Sequence, residues 1–347
     1  MKKLSWLFLL FLSYGSAFTQ ISGEASEFNF EGYKMHGVLN QPENQDPKGM
    51  VLVVHGSGQT NAVAKNWYNK VRAKIQEAGY ATYMWDKRGC GKSEGTFDYN
   101  QSVQNSAAEV IAAIDALKAA EIPGSESIGL WGISRAGWIN PLVINAYKGI
   151  KFWISVSGVD DKENFGYLLN QNLRINGHPQ DHVDLIVEEW TRGNEIAFHG
   201  GSYESYLEAT TNLRKNPFMQ RFMNGEEGNE AGYYQWQEQF MTQGWDSITR
   251  LPMYIEDFEQ ALLGVDCPVL ALFGEKDMNV DWRKTKALYE RTLGTSTDLS
   301  IQSFPNTNHN LFMCKTGGFY EIQDDKLGWN RSQAFLDAMG EWLDKLD

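Results

Sequence analysis

Ser134 lies between small residues in a segment that follows a short apolar run. The apolar run is residues 127–131 (Ser-Ile-Gly-Leu-Trp), and the segment is residues 132–137 (Gly-Ile-Ser-Arg-Ala-Gly). A short strand, a serine between small residues and then a helix form a nucleophile elbow, a sharp turn that exposes the serine hydroxyl above a sheet. The usual pattern is Gly-x-Ser-x-Gly, and Ala136 departs from it by one methyl group. The segment predicts a catalytic serine at position 134, and a serine in an ordinary loop is the alternative.

A serine hydroxyl is a weak nucleophile at neutral pH and needs a base within hydrogen-bond reach. Among six histidines, His309 follows the last predicted strand, and functional groups of parallel sheets collect beyond the carboxyl ends of strands. We therefore expect His309 to be the base, with a solvated loop histidine as the alternative interpretation. The other five lie in the predicted N-terminal hairpin, at the end of a strand or in the middle of the chain: His36, His55, His178, His182 and His199.

The base in turn needs a carboxylate that orients its ring. Asp277 is the candidate, because it follows the apolar run 269–273 directly in residues 274–277 (Gly-Glu-Lys-Asp). Loop aspartates more often form turns or cap helices, but Asp281 is available to cap the helix that follows. Asp160 and Asp161, after the preceding apolar run, are the alternative acids.

Acyl transfer also requires hydrogen-bond donors for the negatively charged oxygen of the intermediate. The backbone N–H of Arg135, at the start of the helix after Ser134, is one candidate. The second candidate is the backbone N–H of Ser57 in residues 55–58 (His-Gly-Ser-Gly), with Gly58 as the alternative. The glycines of this loop allow the backbone to turn its amides toward a site.

The elements that must position these residues alternate between apolar runs and helical patterns. This alternation predicts right-handed crossovers and a doubly wound, mostly parallel α/β sheet. After a hairpin at residues 28–39, we predict strands at 50–54, 80–85, 127–131, 152–156, 268–273 and 299–304, and helices at 65–78, 107–120, 135–147, 282–292 and 332–346.

The alternation stops between residues 160 and 263, where aromatic and amide side chains are frequent and no buried strand is evident. We predict a helical lid here, with helices near 164–176, 182–192 and 230–243, inserted into a core formed by residues 27–159 and 264–347. Five of its aromatic residues are candidates for an acyl- or aryl-binding wall, and the alternative is that most of them pack the lid against the core. They are Trp190, Tyr233, Tyr234, Trp236 and Trp245.

The motifs together resemble the α/β-hydrolase superfamily, in its esterase, dienelactone-hydrolase and serine-aminopeptidase-like group. The resemblance covers residues 28–346 except the lid. It is carried by residues 55–58, by residues 86–95 (Asp-Lys-Arg-Gly-Cys-Gly-Lys-Ser-Glu-Gly), and by the order Ser134, Asp277, His309. It implies an α/β-hydrolase fold and a serine carboxylesterase that acts on a small ester through an acyl-enzyme. A serine aminopeptidase, which would bind the substrate amine through Glu188, Glu189, Glu226 or Glu227, and a non-catalytic binding protein are the alternatives.

Composition and charge narrow the choice of partners and compartment. The 347 residues carry a formal net charge of −13 without a basic cluster, so neither nucleic acid nor an anionic membrane surface is expected as a partner. Lys2 and Lys3, an apolar stretch at 4–12 and a small-x-small site at 15–17 predict a signal peptide over residues 1–17 and export to the periplasm or the extracellular space.

The three cysteines do not form a disulfide framework, and none has the spacing of a metal site. The sequence leaves open whether Cys267 and Cys314 pair. A serine triad needs no cofactor or metal, and we expect none.

Overall fold

We describe a computed structural model of the chain. It describes residues 23–62, 68–99, 101–160, 162, 165–222 and 228–346. The predicted signal peptide lies outside the described residues. So do Asp161, Glu226 and Glu227 among the residues considered above.

Eight strands form one large sheet. They are β1 (Glu24–Phe30), β2 (Tyr33–Asn40), β3 (Met50–Val54), β4 (Ala81–Trp85), β5 (Ile128–Ile133), β6 (Phe152–Val156), β9 (Val269–Gly274) and β10 (Leu299–Phe304). Their order in the sheet is β1-β2-β4-β3-β5-β6-β9-β10. The pairs β1·β2 and β2·β4 are antiparallel, and the other five pairs are parallel. The α/β class and the mostly parallel sheet predicted from the sequence are therefore confirmed.

Helices cover both faces of this sheet, so that strands β3 to β6 and β9 are buried along their whole length. One apolar cluster joins the sheet to α1 (Asn69–Glu77) and α14 (Gln333–Leu343). The cluster on the opposite face includes residues of α2 (Val103–Ala119), α3 (Ala136–Ala146) and α11 (Trp282–Arg291). Two further short helices complete the core, α12 (Leu293–Ser296) and α13 (Glu321–Asp324).

The chain between β6 and β9, residues 160–263, is called the inserted segment below. It contains more elements than the sequence predicts, because several of its helices span only five to seven residues and bury few side chains. Its helices are α4 (Gly166–Ile175), α5 (Gln180–Phe198), α6 (Tyr203–Ala209), α7 (Thr211–Lys215), α8 (Pro217–Phe222), α9 (Glu230–Phe240) and α10 (Phe258–Leu263), and the strands β7 (Gly244–Asp246) and β8 (Leu251–Met253) pair as a second sheet.

Two apolar clusters hold the inserted segment together. One lies mainly among α4, α5, α7 and α8, and the other among α5, α6 and α9. Tyr320 of the core packs against the first cluster. The assignment of this segment as a lid stays a prediction. None of the described helices is long and apolar enough to cross a bilayer.

Candidate active site

Ser134 occupies a strained turn between β5 and α3. Its φ is +56°, in the left-handed region that residues with a side chain rarely adopt. Its N–H donates to the carbonyl of Val156 at 2.9 Å, and its own carbonyl accepts from the N–H of Gly137 at 2.7 Å. These two bonds hold the serine at the carboxyl end of the sheet, as expected of a nucleophile elbow.

The small residues around Ser134 are required by close contacts. A Cβ atom at Gly132 would lie 2.6 Å from the Cβ of Ala136, and one at Gly137 would lie 2.9 Å from the backbone nitrogen of Val159. Real Cβ atoms do not approach other heavy atoms this closely. The methyl group of Ala136 is accommodated because Gly132 opposite it has no side chain.

His309 and Asp277 are in direct contact, in the loops that follow β10 and β9. His309 Nδ1 lies 2.7 Å from Asp277 Oδ2, and both side chains are buried. The backbone N–H groups of Asn279 and Val280 both donate to Asp277 Oδ1 at 2.9 Å. A carboxylate only accepts hydrogen bonds, so Nδ1 of His309 carries the proton and Nε2 is left as an acceptor.

The described alternative acid makes different contacts. Asp160 Oδ1 accepts a hydrogen bond from the N–H of Lys162 at 2.9 Å, and the carbonyl of Asp160 accepts from Trp138 Nε1. The structure thus brings Asp277, and not Asp160, against the His309 ring.

His55 is buried at the end of β3 and is unsuited to act as a base. Its Nε2 lies 2.5 Å from the carbonyl of Trp85, which requires the proton on Nε2. Burial, together with the charge of Lys87, lowers the pKa of His55 to about 3. The ring is therefore neutral at physiological pH, and it anchors the loop that begins at Gly56.

Four of the five sequence-predicted site residues line one cavity of about 2360 Å³, and the fifth, Asp277, contacts it through His309. Ser134, His309, Ser57 and Arg135 all line it. No hydrogen-bond acceptor for the backbone N–H of Ser57 or Arg135 is found among the described residues. Gly58, the alternative donor, also lines the cavity and has a φ of +80°.

The side chain of Arg135 lines the cavity and reaches the start of α2. Its Nη1 donates to Ser106 Oγ at 3.0 Å, and its Nη2 donates to the carbonyl of Gln101. Burial lowers the pKa of Arg135, which is nevertheless charged at neutral pH. This guanidinium ties the start of α3 to the start of α2.

Lys87 is a residue of this site that the sequence did not single out. Its Nζ donates to the carbonyls of Gly56 and Gly58, at 2.6 and 2.8 Å. The only sequence signal was its place in residues 86–95, which was used for the resemblance alone. Burial, then the charge of Arg135, lowers the pKa of Lys87 to about 7.

The rest of residues 86–95 supports the loops around the cavity. Asp86 is buried, and its two carboxylate oxygens accept from the N–H groups of Ala62 and Lys92 at 2.6 and 2.7 Å. Ser93 Oγ donates to the carbonyl of Asp86 and accepts from the N–H of His36. The contacts of Asp86 and Ser93 in this stretch therefore hold the surrounding loops in place.

Aromatic side chains of the inserted segment also line the cavity. Trp190, Tyr233 and Trp236 are among them, whereas Tyr234 and Trp245 are not among its lining residues. Trp236 contacts Phe240 with ring centroids 4.8 Å apart. These rings pack mainly within the inserted segment, and three of the five candidates face the cavity as well.

The three cysteines are free thiols, and each is buried. Cys267 and Cys314 are therefore unpaired. Cys90 lines the cavity between Gly89 and Gly91.

Comparisons with known proteins find two family models. Residues 45–164 match a model described as "Serine aminopeptidase, S33". Residues 255–340 match a model described as "Dienelactone hydrolase family". No curated protein matches the chain.

Solved structures match almost the whole chain at low sequence identity. Est1E from Butyrivibrio proteoclasticus is 15% identical, with a TM-score of 0.51 over 94% of this chain and 99% of its own. An esterase from Pyrococcus furiosus is also 15% identical, with a TM-score of 0.51 over 92% and 91%. The proline iminopeptidase of Mycobacterium smegmatis is 16% identical, with a TM-score of 0.54 over 93% and 98%. At these identities the matches show a shared fold.

Proposed function

We propose that this chain, which belongs to the α/β-hydrolase superfamily, is an exported serine hydrolase that cleaves carboxylic esters. The observation that carries the proposal is the 2.7 Å contact of His309 Nδ1 with Asp277 Oδ2, beside a cavity that Ser134 also lines. That contact leaves His309 Nε2 as a base, and the strained turn presents Ser134 as the nucleophile.

The proposed reaction proceeds through an acyl-enzyme. Ser134 Oγ attacks the ester carbonyl while His309 Nε2 takes the hydroxyl proton, and Asp277 stabilises the resulting imidazolium. The N–H groups of Ser57 and Arg135 hold the oxyanion. His309 then protonates the departing alcohol. A water molecule, deprotonated by His309, hydrolyses the acyl-enzyme and releases the acid.

The test is ester hydrolysis by purified protein and by its Ser134→Ala variant. We expect the wild type to hydrolyse short p-nitrophenyl esters and the variant to lose about 10³-fold or more in kcat, as is typical of a residue of a triad. A fluorophosphonate probe should label the wild type and not the variant. Retention of the wild-type rate by Ser134→Ala would refute the assignment. Failure of the probe to label folded wild type would favour the non-catalytic alternative.

A serine aminopeptidase is the second candidate, favoured by the description of the first matching family model. The two described glutamates that were predicted to bind the substrate amine make other contacts. Glu188 lies 3.2 Å from Arg250, and Glu189 accepts hydrogen bonds from the Asn212 side chain and the Leu213 N–H. Neither glutamate lines the cavity. A higher kcat/KM on proline p-nitroanilide than on any ester of a panel would select the peptidase.

Export is proposed from the sequence of residues 1–17. We expect a Gram-negative host that expresses the full chain to deliver it to the periplasm with the mass of residues 18–347, and a chain lacking residues 1–17 to stay in the cytoplasm. Recovery of the full-length mass from the membrane fraction would contradict cleavage and favour an uncleaved anchor.

A further inference from the structure

A single ammonium group joins the two carbonyls on either side of Ser57. Lys87 Nζ donates to the carbonyl of Gly56 at 2.6 Å and to that of Gly58 at 2.8 Å. The same loop is confined from the other side, because a Cβ atom at Gly56 would lie 3.3 Å from the Cβ of Ser134. The loop is thus held between Lys87 and the nucleophile.

The hydrogen bond from Lys87 to the Gly56 carbonyl also sets the direction of the Ser57 N–H. The carbonyl of Gly56 and the N–H of Ser57 belong to one peptide group, and no described peptide bond is cis. In a planar trans peptide the C=O and N–H vectors are antiparallel. Since the carbonyl points at Lys87, the N–H points away from Lys87. Ser57 lines the cavity that Ser134 lines.

The ammonium group of Lys87 has no carboxylate partner among the described residues. Among the described residues, no carboxylate oxygen lies within 4.0 Å of its Nζ. Its charge therefore acts on the two carbonyls and, at 5.8 Å from the ring centroid, on the face of Phe97. A cation bound to a carbonyl polarises the peptide and makes its N–H a stronger donor, because hydrogen bonds in a chain strengthen one another.

We propose that Lys87 is a positioning residue of the reaction, whose ammonium fixes and polarises the Gly56–Ser57 peptide so that the Ser57 N–H binds the oxyanion. The inference rests on the proposed function. It also distinguishes Ser57 from Gly58 as the donor. The N–H of Gly58 shares a peptide with the carbonyl of Ser57, and the hydrogen bonds of Lys87 go to Gly56 and Gly58 instead.

The pH dependence of this arrangement follows from the surroundings of Lys87. Burial and Arg135 lower its pKa, Glu109 and Cys90 raise it, and the result is about 7. Neutral His55 lies beside it, and Asp98 and the Arg88–Glu31 ion pair line the same small pocket. Below pH 7 the ammonium is charged and polarises the peptide. Above pH 7 the neutral amine still donates hydrogen bonds but no longer polarises it.

The first readout is independent of activity. We would record amide spectra of ¹⁵N-serine-labelled protein between about pH 5.5 and 8.5, a range centred on the pKa of Lys87, with Ser57 assigned from its loss in Ser57→Ala. The Ser57 nitrogen shift should titrate with a midpoint near 7 in the wild type and in Lys92→Met, an exposed lysine of the same loop. It should not titrate in Lys87→Met. A Ser57 nitrogen shift that is the same in Lys87→Met as in the wild type throughout this range, or that titrates in Lys87→Met with the wild-type midpoint, overturns the proposal.

The second readout is kinetic. Loss of one oxyanion donor costs about 10²- to 10³-fold in kcat, so loss of the group that positions it should cost about 10- to 100-fold. We expect that loss in Lys87→Met, with KM within about threefold, and wild-type constants in Lys92→Met. In the wild type we expect kcat to fall above pH 7 as the ammonium charge is lost, and this fall should be absent in Lys87→Met. Wild-type kcat in a folded Lys87→Met overturns the role of Lys87.

The two readouts separate the possible failures. If the wild type cleaves no ester, the proposed function fails, while the titration of Ser57 still decides whether Lys87 controls the peptide. If esters are cleaved through Ser134 and Lys87→Met is unaffected, only the inference about Lys87 fails. The dispersion of the remaining serine amides reports whether each variant is folded.

Discussion

Ser134 is held in an unfavourable backbone conformation by its neighbours. A residue with a side chain at a φ of +56° costs of order 1–3 kcal/mol and persists only where surrounding structure fixes it. The hydrogen bonds to Val156 and from Gly137 supply that constraint. Strain of this kind is concentrated at functional sites, which agrees with a serine whose hydroxyl must stand clear of the strand and the helix.

Replacement of Asp277 by asparagine tests the orientation of the base. An asparagine side chain that turns its NH₂ group toward His309 Nδ1 would donate rather than accept, so His309 would carry its proton on Nε2 and could no longer deprotonate Ser134. We expect Asp277→Asn to lower kcat by about 10³- to 10⁴-fold at pH 7. Initial-rate assays with p-nitrophenyl acetate, alongside thermal melting to check folding, would measure this.

The matched control is the alternative acid. Asp160 is also buried, but its carboxylate accepts from the Lys162 backbone rather than facing His309. Asp160→Asn should therefore keep kcat within a few-fold of the wild type. A larger loss in Asp160→Asn than in Asp277→Asn would reverse the assignment of the acid.

The sequence singled out the three residues proposed to react and missed Lys87, which contacts the backbone of a neighbouring loop. Ser134, Asp277 and His309 each follow a predicted strand, so the rule that parallel strands end at one edge places them together. Lys87 contacts two carbonyls from a different loop. No residue pattern encodes such a contact, because it depends on the pairing of β3 with β4 and on the path of each loop.

At the scale of elements, the elbow depends on the close packing of β5 against α3. Gly132→Ala would place its methyl group 2.6 Å from the Ala136 Cβ and 2.5 Å from Asn140 Nδ2. Overpacking of this kind costs about 1–3 kcal/mol. We expect Gly132→Ala to lower the free energy of unfolding by that amount, measured by urea denaturation, and to lower kcat as the turn shifts.

A double variant tests whether the clash with Ala136 causes the loss of stability in Gly132→Ala. Ala136→Gly alone should destabilise by about 0.5–1 kcal/mol, because glycine is disfavoured in helices. Combined with Gly132→Ala it removes one of the two clashes, so the double variant should be more stable than the sum of the single changes implies. Strict additivity would show that Ala136 and Gly132 are not in contact.

The elements of the core were predictable, and those of the inserted segment only in part. Strands such as β3 and β6 are buried on both faces and appear as unbroken apolar runs, so their observed bounds match the predicted ones. Helices α6 to α8 are short, and α6 buries no side chain completely. Such helices carry no apolar stripe, and their positions depend on contacts with α5 that the sequence does not reveal.

The inserted segment should determine which acyl groups fit. Trp236 lines the cavity, whereas Trp245 stacks on Phe198 with centroids 4.5 Å apart and is not a lining residue. Loss of an aromatic contact worth about 1.4 kcal/mol lowers kcat/KM for the substrate that makes the contact by about tenfold. We expect Trp236→Ala to lower the ratio of kcat/KM for a long acyl ester to that for the acetate by about tenfold. Trp245→Ala should leave this ratio unchanged, and an equal change in both variants would contradict a specific role of Trp236.

At the scale of the whole molecule, the net charge bears on the partners that the protein can bind. Removal of residues 1–17 would take away two lysines and no acids, giving a formal net charge of −15. Such a charge opposes binding to nucleic acid and to anionic lipid surfaces. The burial of strands β3 to β6 and β9 between two layers of helices supplies a core large enough to fold without disulfides.

The state of the three cysteine thiols tests whether the fold is stable without a disulfide. Burial raises the pKa of Cys267 to about 12 and that of Cys314 to about 11, so thiolate is scarce at pH 8, and Cys90 is buried in the cavity wall. We expect Ellman's reagent to react slowly with native protein and to titrate three thiols after unfolding in guanidinium. Dithiothreitol should leave the melting temperature unchanged, because no disulfide constrains the unfolded chain. A single thiol after unfolding, with a melting temperature that falls on reduction, would instead reveal a disulfide.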